Sequence, residues 1–118
     1  MATIKSYSDL DQSHKLAEIL PLESADMYYT PSLIKGHTGY FPHLKRKFPI
    51  DWDIEQAIPC WSLTALFSVL PKIHGTKPIL DLEENSIQYS GIDLYVVADN
   101  PVDACYKMIL KLNELNLL

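Results

Sequence analysis

The sequence predicts an α+β domain in which a three-stranded antiparallel meander packs against helices, with an N-terminal helix and a long irregular loop ahead of it. Three observations lead there. Segments rich in Ile, Val and Tyr follow one another between residues 78 and 97, too close together for the crossover helices that parallel strands need. Apolar residues recur at helical spacing before that block, at Leu63, Leu66, Phe67 and Leu70, and after it, at Cys105, Met108, Ile109 and Leu112. Finally, 118 residues with 47% hydrophobic and 21% charged content suffice for one apolar core without a disulfide or metal staple. A single domain over residues 1–118 is the expectation.

The first helix is expected from about Ser8 to Leu20. Ser8 and Asp11 have capping-box spacing, Leu10, Leu16, Ala17 and Leu20 recur near helical period, and Pro21 lacks the N–H a continuing helix would use. From Leu22 to Ile58 the periodicity weakens. Ala25 to Tyr29 fits a strand or a helix end, and Pro31, Gly36, Gly39, Pro42 and Pro49 interrupt everything after it. A stretch of this length is read as a functional loop, an arm, or short strands that the pattern does not resolve.

Order returns near Pro59. Ser62 caps a helix that Pro71 closes, and Trp61 just before the cap is placed to staple against Leu66 in its first turns. The strands follow at Pro78 to Leu82, Ser86 to Tyr89 and Ile92 to Val97, with Glu83, Glu84 and Asn85 in the first turn and Gly91 in the second. The last helix has Asp99 or Asn100 as its cap, Pro101 at its first position and Asp103 in its positive first turn. The helices from Ser62 to Leu70 and from Pro101 to Leu115 are expected to cover one face of the meander, because its strands are too apolar to be exposed on both sides.

Charge and cysteine usage narrow the function classes. Ten Lys and Arg against fifteen Asp and Glu give a net charge of -5, a field that disfavours nucleic-acid backbones and anionic membranes. Met1 to Leu10 carries one Lys and no apolar signal core, and no stretch is long enough to span a bilayer. A cytoplasmic location, with no membrane partner, is therefore expected. Cys60 and Cys105 are read as reduced, buried packing residues in apolar helical settings.

Two blocks carry a resemblance. Ile58-Pro59-Cys60-Trp61-Ser62-Leu63-Thr64-Ala65-Leu66 is followed by the meander and then by Ala98-Asp99-Asn100-Pro101-Val102-Asp103-Ala104-Cys105 with its apolar helix. Together with Leu16 through Leu22-Glu23-Ser24-Ala25-Asp26-Met27, this resembles a family of small uncharacterised proteins from phages and prophages of gut bacteria. The segment from about Leu33 to Glu55 has no counterpart in it. The resemblance implies an α+β domain and a mobile-element origin, hence a bacterial host cell as the compartment. It implies no activity, and it carries over no functional residue.

The chemistry-bearing residues form no catalytic set. His14, His37, His43 and His74 are scattered without a Cys-His-Asn order, the His37/His43 pair lacks metal-ligand spacing, and no Gly-rich phosphate loop occurs. No enzyme activity, cofactor or metal is expected. One local cluster stands out. Lys45, Arg46 and Lys47 sit among Tyr40, Phe41, His43, Phe48 and Trp52, the mixture of cations and rings that a single-stranded nucleic-acid site uses. Asp51, Asp53 and Glu55 follow at once and offset it, so a solvated loop is the plainer reading and nucleic-acid binding stays the alternative. The leading expectation is a phage-type accessory protein acting by protein contact, through Tyr40 to Trp52 or through a free sheet edge that could also pair two copies into a homodimer.

Overall fold

The computed structural model of the protein describes residues 5–31, 39–44 and 57–118. Its first helix, α1, spans Leu10–Ile19 and opens one residue later than the sequence suggests. Asp9, not Ser8, is the cap: its carboxylate accepts the Gln12 N–H at 2.8 Å, and the Gln12 side-chain oxygen accepts the Asp9 N–H at 3.1 Å. Ser8 is drawn inward instead. Its hydroxyl accepts the Trp61 N–H at 3.1 Å and shares a 2.8 Å hydrogen bond with Ser13, and both serines are fully buried.

A 3₁₀ turn at Leu22–Ser24 leads into β1 (Met27–Pro31), which pairs antiparallel with β2 (Tyr40–Leu44) on one side and β3 (Ile58–Cys60) on the other. The region expected as a long irregular loop thus holds a second sheet, of order β2-β1-β3. Each of its strands contains a proline: Pro31 ends β1, and Pro42 and Pro59 lie in the two outer strands. A missing ladder N–H is tolerated there and hardly anywhere else. Cys60 ends β3, in a strand rather than in the helical setting expected for it.

The meander forms as the sequence predicts. Strands β4 (Pro78–Asp81), β5 (Ser86–Tyr89) and β6 (Leu94–Val97) pair antiparallel in sequence order. Asn85 (φ 55°) and Gly91 (φ 76°) supply the left-handed residues that the two tight turns need. Helix α3 (Pro101–Glu114) is capped by Asn100, whose side chain accepts the Asp103 N–H at 2.8 Å, with Pro101 in the first turn. It packs on β5 and β6. Its stripe of Val102, Cys105, Met108, Ile109 and Leu112 is wholly buried, each large side chain contributing about 1.5 to 3 kcal/mol by leaving water.

Helix α2 (Leu63–Ser68) is capped by Ser62, as expected, but its main neighbour is α3 and not the meander. Six residues are too few to reach across the sheet and still bury Ala65 and Leu66. Trp61 and Leu66 are both fully buried in the principal core with Leu16, Ile87 and Tyr89, where a staple would put them. A smaller cluster of Met27, Tyr29 and Cys60, flanked by Tyr7, Leu10 and Ile58, joins α1 to the proline-containing sheet.

Candidate functional site

Alternation along β2 splits its side chains between two faces. Tyr40, Pro42 and Leu44 lie across from Pro31, Tyr29 and Met27, while Phe41 and His43 lie across from Thr30 and Tyr28. Neither face of the strand is fully covered. Phe41 is 47% and Leu44 74% exposed, and Tyr40 is similar to Phe41. On the Phe41 face the His43 ring stacks on Tyr28, with centroids 5.2 Å apart and planes at 26°, and a 2.9 Å hydrogen bond joins its Nε2 to the Thr30 hydroxyl. Among the described residues β2 has β1 as its one strand neighbour, so this is an outer strand bearing large apolar side chains.

Of the residues singled out from sequence, Tyr40 and Phe41 are both exposed at the start of β2, on its opposite faces. Lys45, Arg46, Lys47 and Trp52 lie outside the described residues. His43, named with them from sequence, lies on the same strand, whereas Tyr28 and Leu44 were missed. Their signal, strand alternation, is masked by Pro42 in the middle of a five-residue run.

The outer face of the meander is a second exposed apolar surface. Leu80, Ile87, Tyr89, Leu94 and Val96 point into the core, whereas Ile79, Tyr95 and Val97 on the opposite side are each about half exposed, and Leu82 follows them beyond β4. One face is buried, as the strands' composition demands, yet the other is only partly polar.

Cys60 has the surroundings of a packing residue. Its thiol has no exposure, lies 3.5 Å from the Ser8 carbonyl oxygen and 3.7 Å from the Ser8 hydroxyl, and is pushed up by burial against the opposing pull of the Ser8, Ser13 and Tyr29 side-chain hydroxyls. Tyr29 donates its hydroxyl to the same carbonyl at 2.7 Å, and burial raises its phenol as well. Such a sulfur stays protonated and out of reach, which is the opposite of what a nucleophile needs. Cys105 is buried too, and its thiol is pushed up to about 12. Nearby, the Asp26 carboxylate accepts both the N–H of Ser62, at 2.9 Å, and its hydroxyl, tying the start of α2 to the residue just ahead of β1.

A cleft of about 340 Å³ opens between the N-terminal segment and β1, lined by Lys5, Ser6, Tyr7, Asp9 and Tyr29, and a shallower one of about 450 Å³ continues past Leu10 and Asp11. Tyr7 meets Tyr29 edge to face, with centroids 6.3 Å apart. The charges at the cleft's end are mutually satisfied: Lys5 Nζ lies 2.9 Å from Asp9 and 2.8 Å from Asp103. Burial pushes the Asp103 carboxyl up, but hydrogen bonds from Lys5, Gln12 and Asn100 and the charge of Lys5 outweigh it and hold the group below its ordinary value.

Among the described residues no group of three or more His, Cys, Asp or Glu side chains is placed to hold a metal ion, and no helix is long and apolar enough to cross a membrane. No family model, no curated protein and no solved structure matches the chain.

Proposed function

We propose that this chain is a non-catalytic accessory protein of phage or prophage type, working inside a bacterial cell by binding another protein along β2. The observation that carries the reading is the exposure of Tyr40, Phe41 and Leu44 on an outer strand. Large apolar side chains on such a strand are normally suppressed because they invite pairing, so their retention favours a partner that covers them. An extended segment of a partner can add to the strand's hydrogen-bonding edge while its alternate side chains contact Phe41 on one face and Leu44 on the other. The phage setting rests on the sequence resemblance.

The test is photo-crosslinking from position 41 in cells that naturally make the protein. A discrete protein adduct that disappears with Leu44→Lys, and is not formed from the same reactive group at the exposed position 18 on α1, is the expected result. No adduct, or one indifferent to Leu44→Lys, overturns the proposal.

A second reading, weak binding of single-stranded nucleic acid, is favoured by one observation. Tyr28, His43 and Phe41 gather on one sheet face, and in sequence Lys45, Arg46 and Lys47 come directly after β2. Anisotropy with labelled single-stranded DNA at about 50 mM salt separates the two, because only this reading predicts binding that falls steeply with added salt.

A further inference from the structure

We propose that the outer face of the β4-β5-β6 meander seats a second copy of this chain, independently of what binds β2. Ile79, Gln88 and Tyr95 form one line across the three strands, since Ile79 pairs with Gln88 and Gln88 with Tyr95. A two-fold axis along that line, lying between two stacked sheets, reverses strand direction and sets each of the three on its own counterpart: Ile79 on Ile79, the Gln88 amide on the amide that complements it, Tyr95 on Tyr95.

Charge follows the same symmetry. Lys77, just before β4, and Asp81, its last residue, are both exposed and each two positions from Ile79, so strand alternation carried one residue back sets them on the Ile79 side. The axis through Ile79 therefore brings each Lys77 over Asp81 of the second copy, giving two ion pairs at one side of the apolar contact. Among the described residues the Lys77 ammonium makes no ion pair within its own chain, and Asp81 uses one carboxylate oxygen to accept the N–H groups of Glu83 and Glu84. At the β6 corner Val97 meets Asp93 of the second copy at the wet rim.

The edges of this sheet are partly blunted in a way its face is not. The hydrogen bond from Ala98 N–H to the Asn85 carbonyl, at 3.0 Å, continues the β5–β6 register. By alternation, Ile87 and Tyr89 then direct their backbone groups to β6, and Ser86 and Gln88 direct theirs to β4. Pro78 and Leu80 are left facing outward on β4, and Tyr95 and Val97 on β6. Pro78 has no N–H to offer, and the Val97 carbonyl already accepts Lys107 Nζ at 3.1 Å. Both are recognised ways of blunting an edge. The half-exposed Ile79, Tyr95 and Val97 on the face have no such guard.

Three strands about 4.8 Å apart and four residues long present only about 200 Å² in projection. A stable interface buries about 800 Å² on each partner, so the dimer belongs to the weak, concentration-dependent class.

Sedimentation equilibrium between about 10 μM and about 1 mM reads this directly, because weak interfaces of this size populate in that range. The average mass should climb from 13.4 kDa toward twice that value. Lys77→Glu alone and Asp81→Lys alone should each stay monomeric, since each sets like charges against each other twice, while an equimolar mixture of the two should associate because both pairs become attractive again. Tyr95→Glu, distant from β4, should abolish association, which pairing at the β4 edge would not predict; circular dichroism confirms that each variant is folded. A mass fixed at 13.4 kDa at the highest concentration, association indifferent to Tyr95→Glu, or a mixture no better than its parts overturns the proposal without touching the role of β2.

Discussion

The Lys5 ammonium lies 2.8 Å from Oδ1 of Asp103, a residue 98 positions further along the chain. Asp103 also accepts Gln12 Nε2 at 2.8 Å and Asn100 Nδ2 at 2.9 Å, while Lys5 reaches Asp9 at 2.9 Å. The two carboxylates sit at the N-terminal ends of α1 and α3, where helix dipoles favour negative charge, and Lys5 bridges them. Segment 5–9 is fastened further by Ser8 N–H to the Trp61 carbonyl at 2.8 Å and by Leu63 N–H to the Ser6 carbonyl at 3.0 Å. The beginning of the described chain thereby locks the strand-to-helix junction at Trp61 against the last helix.

Removing the bridge should weaken the fold modestly. Both side chains keep part of their exposure, so screening limits the ion pair, and Lys5→Met, which preserves the apolar stem, should cost about 1 kcal/mol. Asp103→Ala leaves three donors without their acceptor and should cost about 2 to 3 kcal/mol. Urea midpoints measure both; equal costs would show that Asp103 acts through Lys5 alone.

The meander and α3 were legible because each is written locally, with strand residues broken by Asn85 and Gly91 and a helix marked by Asn100, Pro101 and a buried stripe at 3.6-residue period. The proline-containing sheet was not. Its central strand β1 pairs with β3 across some thirty intervening residues, and Pro31, Pro42 and Pro59 erase the alternation that short strands would show. The cap of α1 was misplaced for a related reason. Ser8/Asp11 and Asp9/Gln12 have the same spacing, and the choice falls to Trp61, whose N–H recruits the Ser8 hydroxyl from a distance in sequence that no local rule spans. On β2 the rings of Tyr40, Phe41 and His43 were legible beside the basic cluster, whereas Leu44, a lone aliphatic residue after Pro42, carries no local signal of exposure.

Trp61 should be the most costly single position to truncate. It is fully buried, and its Nε1 donates to the Ser24 hydroxyl at 2.9 Å. Trp61→Ala should cost about 3 to 5 kcal/mol through the cavity it leaves. Trp61→Phe keeps much of the volume but loses the donor and should cost about 1 to 2 kcal/mol. Thermal melts that rank the two variants the other way would contradict this placement.

Surface variants on β2 should be silent in stability. Phe41→Ser and Leu44→Lys remove exposed side chains and should move the unfolding free energy by no more than about 0.5 kcal/mol. A larger loss would mean that β2 is covered within the monomer and is not a contact surface.

The thiols give the most decisive reading of the core. Cys60 and Cys105 have no solvent exposure, and both are held protonated by burial. Ellman's reagent should leave both unmodified in the native protein at pH 8 and label both in denaturant. Fast native labelling of Cys60 would dislodge it from the network around Ser8.

Stability should be asymmetric in pH. On the acid side Asp103 is held below its ordinary 3.8, so the stability it contributes is present above about pH 4 and is lost as pH falls through the lower folded value. On the alkaline side several groups act together. Buried Cys105 keeps its proton up to about 12, whereas the unfolded thiol releases it near 9.0, so the native state binds more protons between those values and stability falls as pH rises. Cys60 shifts in the same direction, and Tyr89, raised by burial to about 12 from 10.0, adds a loss that begins one unit later. Lys5 is opposed by burial, but its hydrogen bonds to Asp103 and Asp9 prevail and raise it, so its contribution holds until pH climbs above 10.5. Melting temperature should therefore be flat from about pH 5 to 8.5 and decline from about pH 9, and replacing both cysteines with alanine should delay the onset to about pH 10. An onset unmoved by that double replacement would mean that the thiols titrate alike in the folded and unfolded chain, and hence that they are not buried.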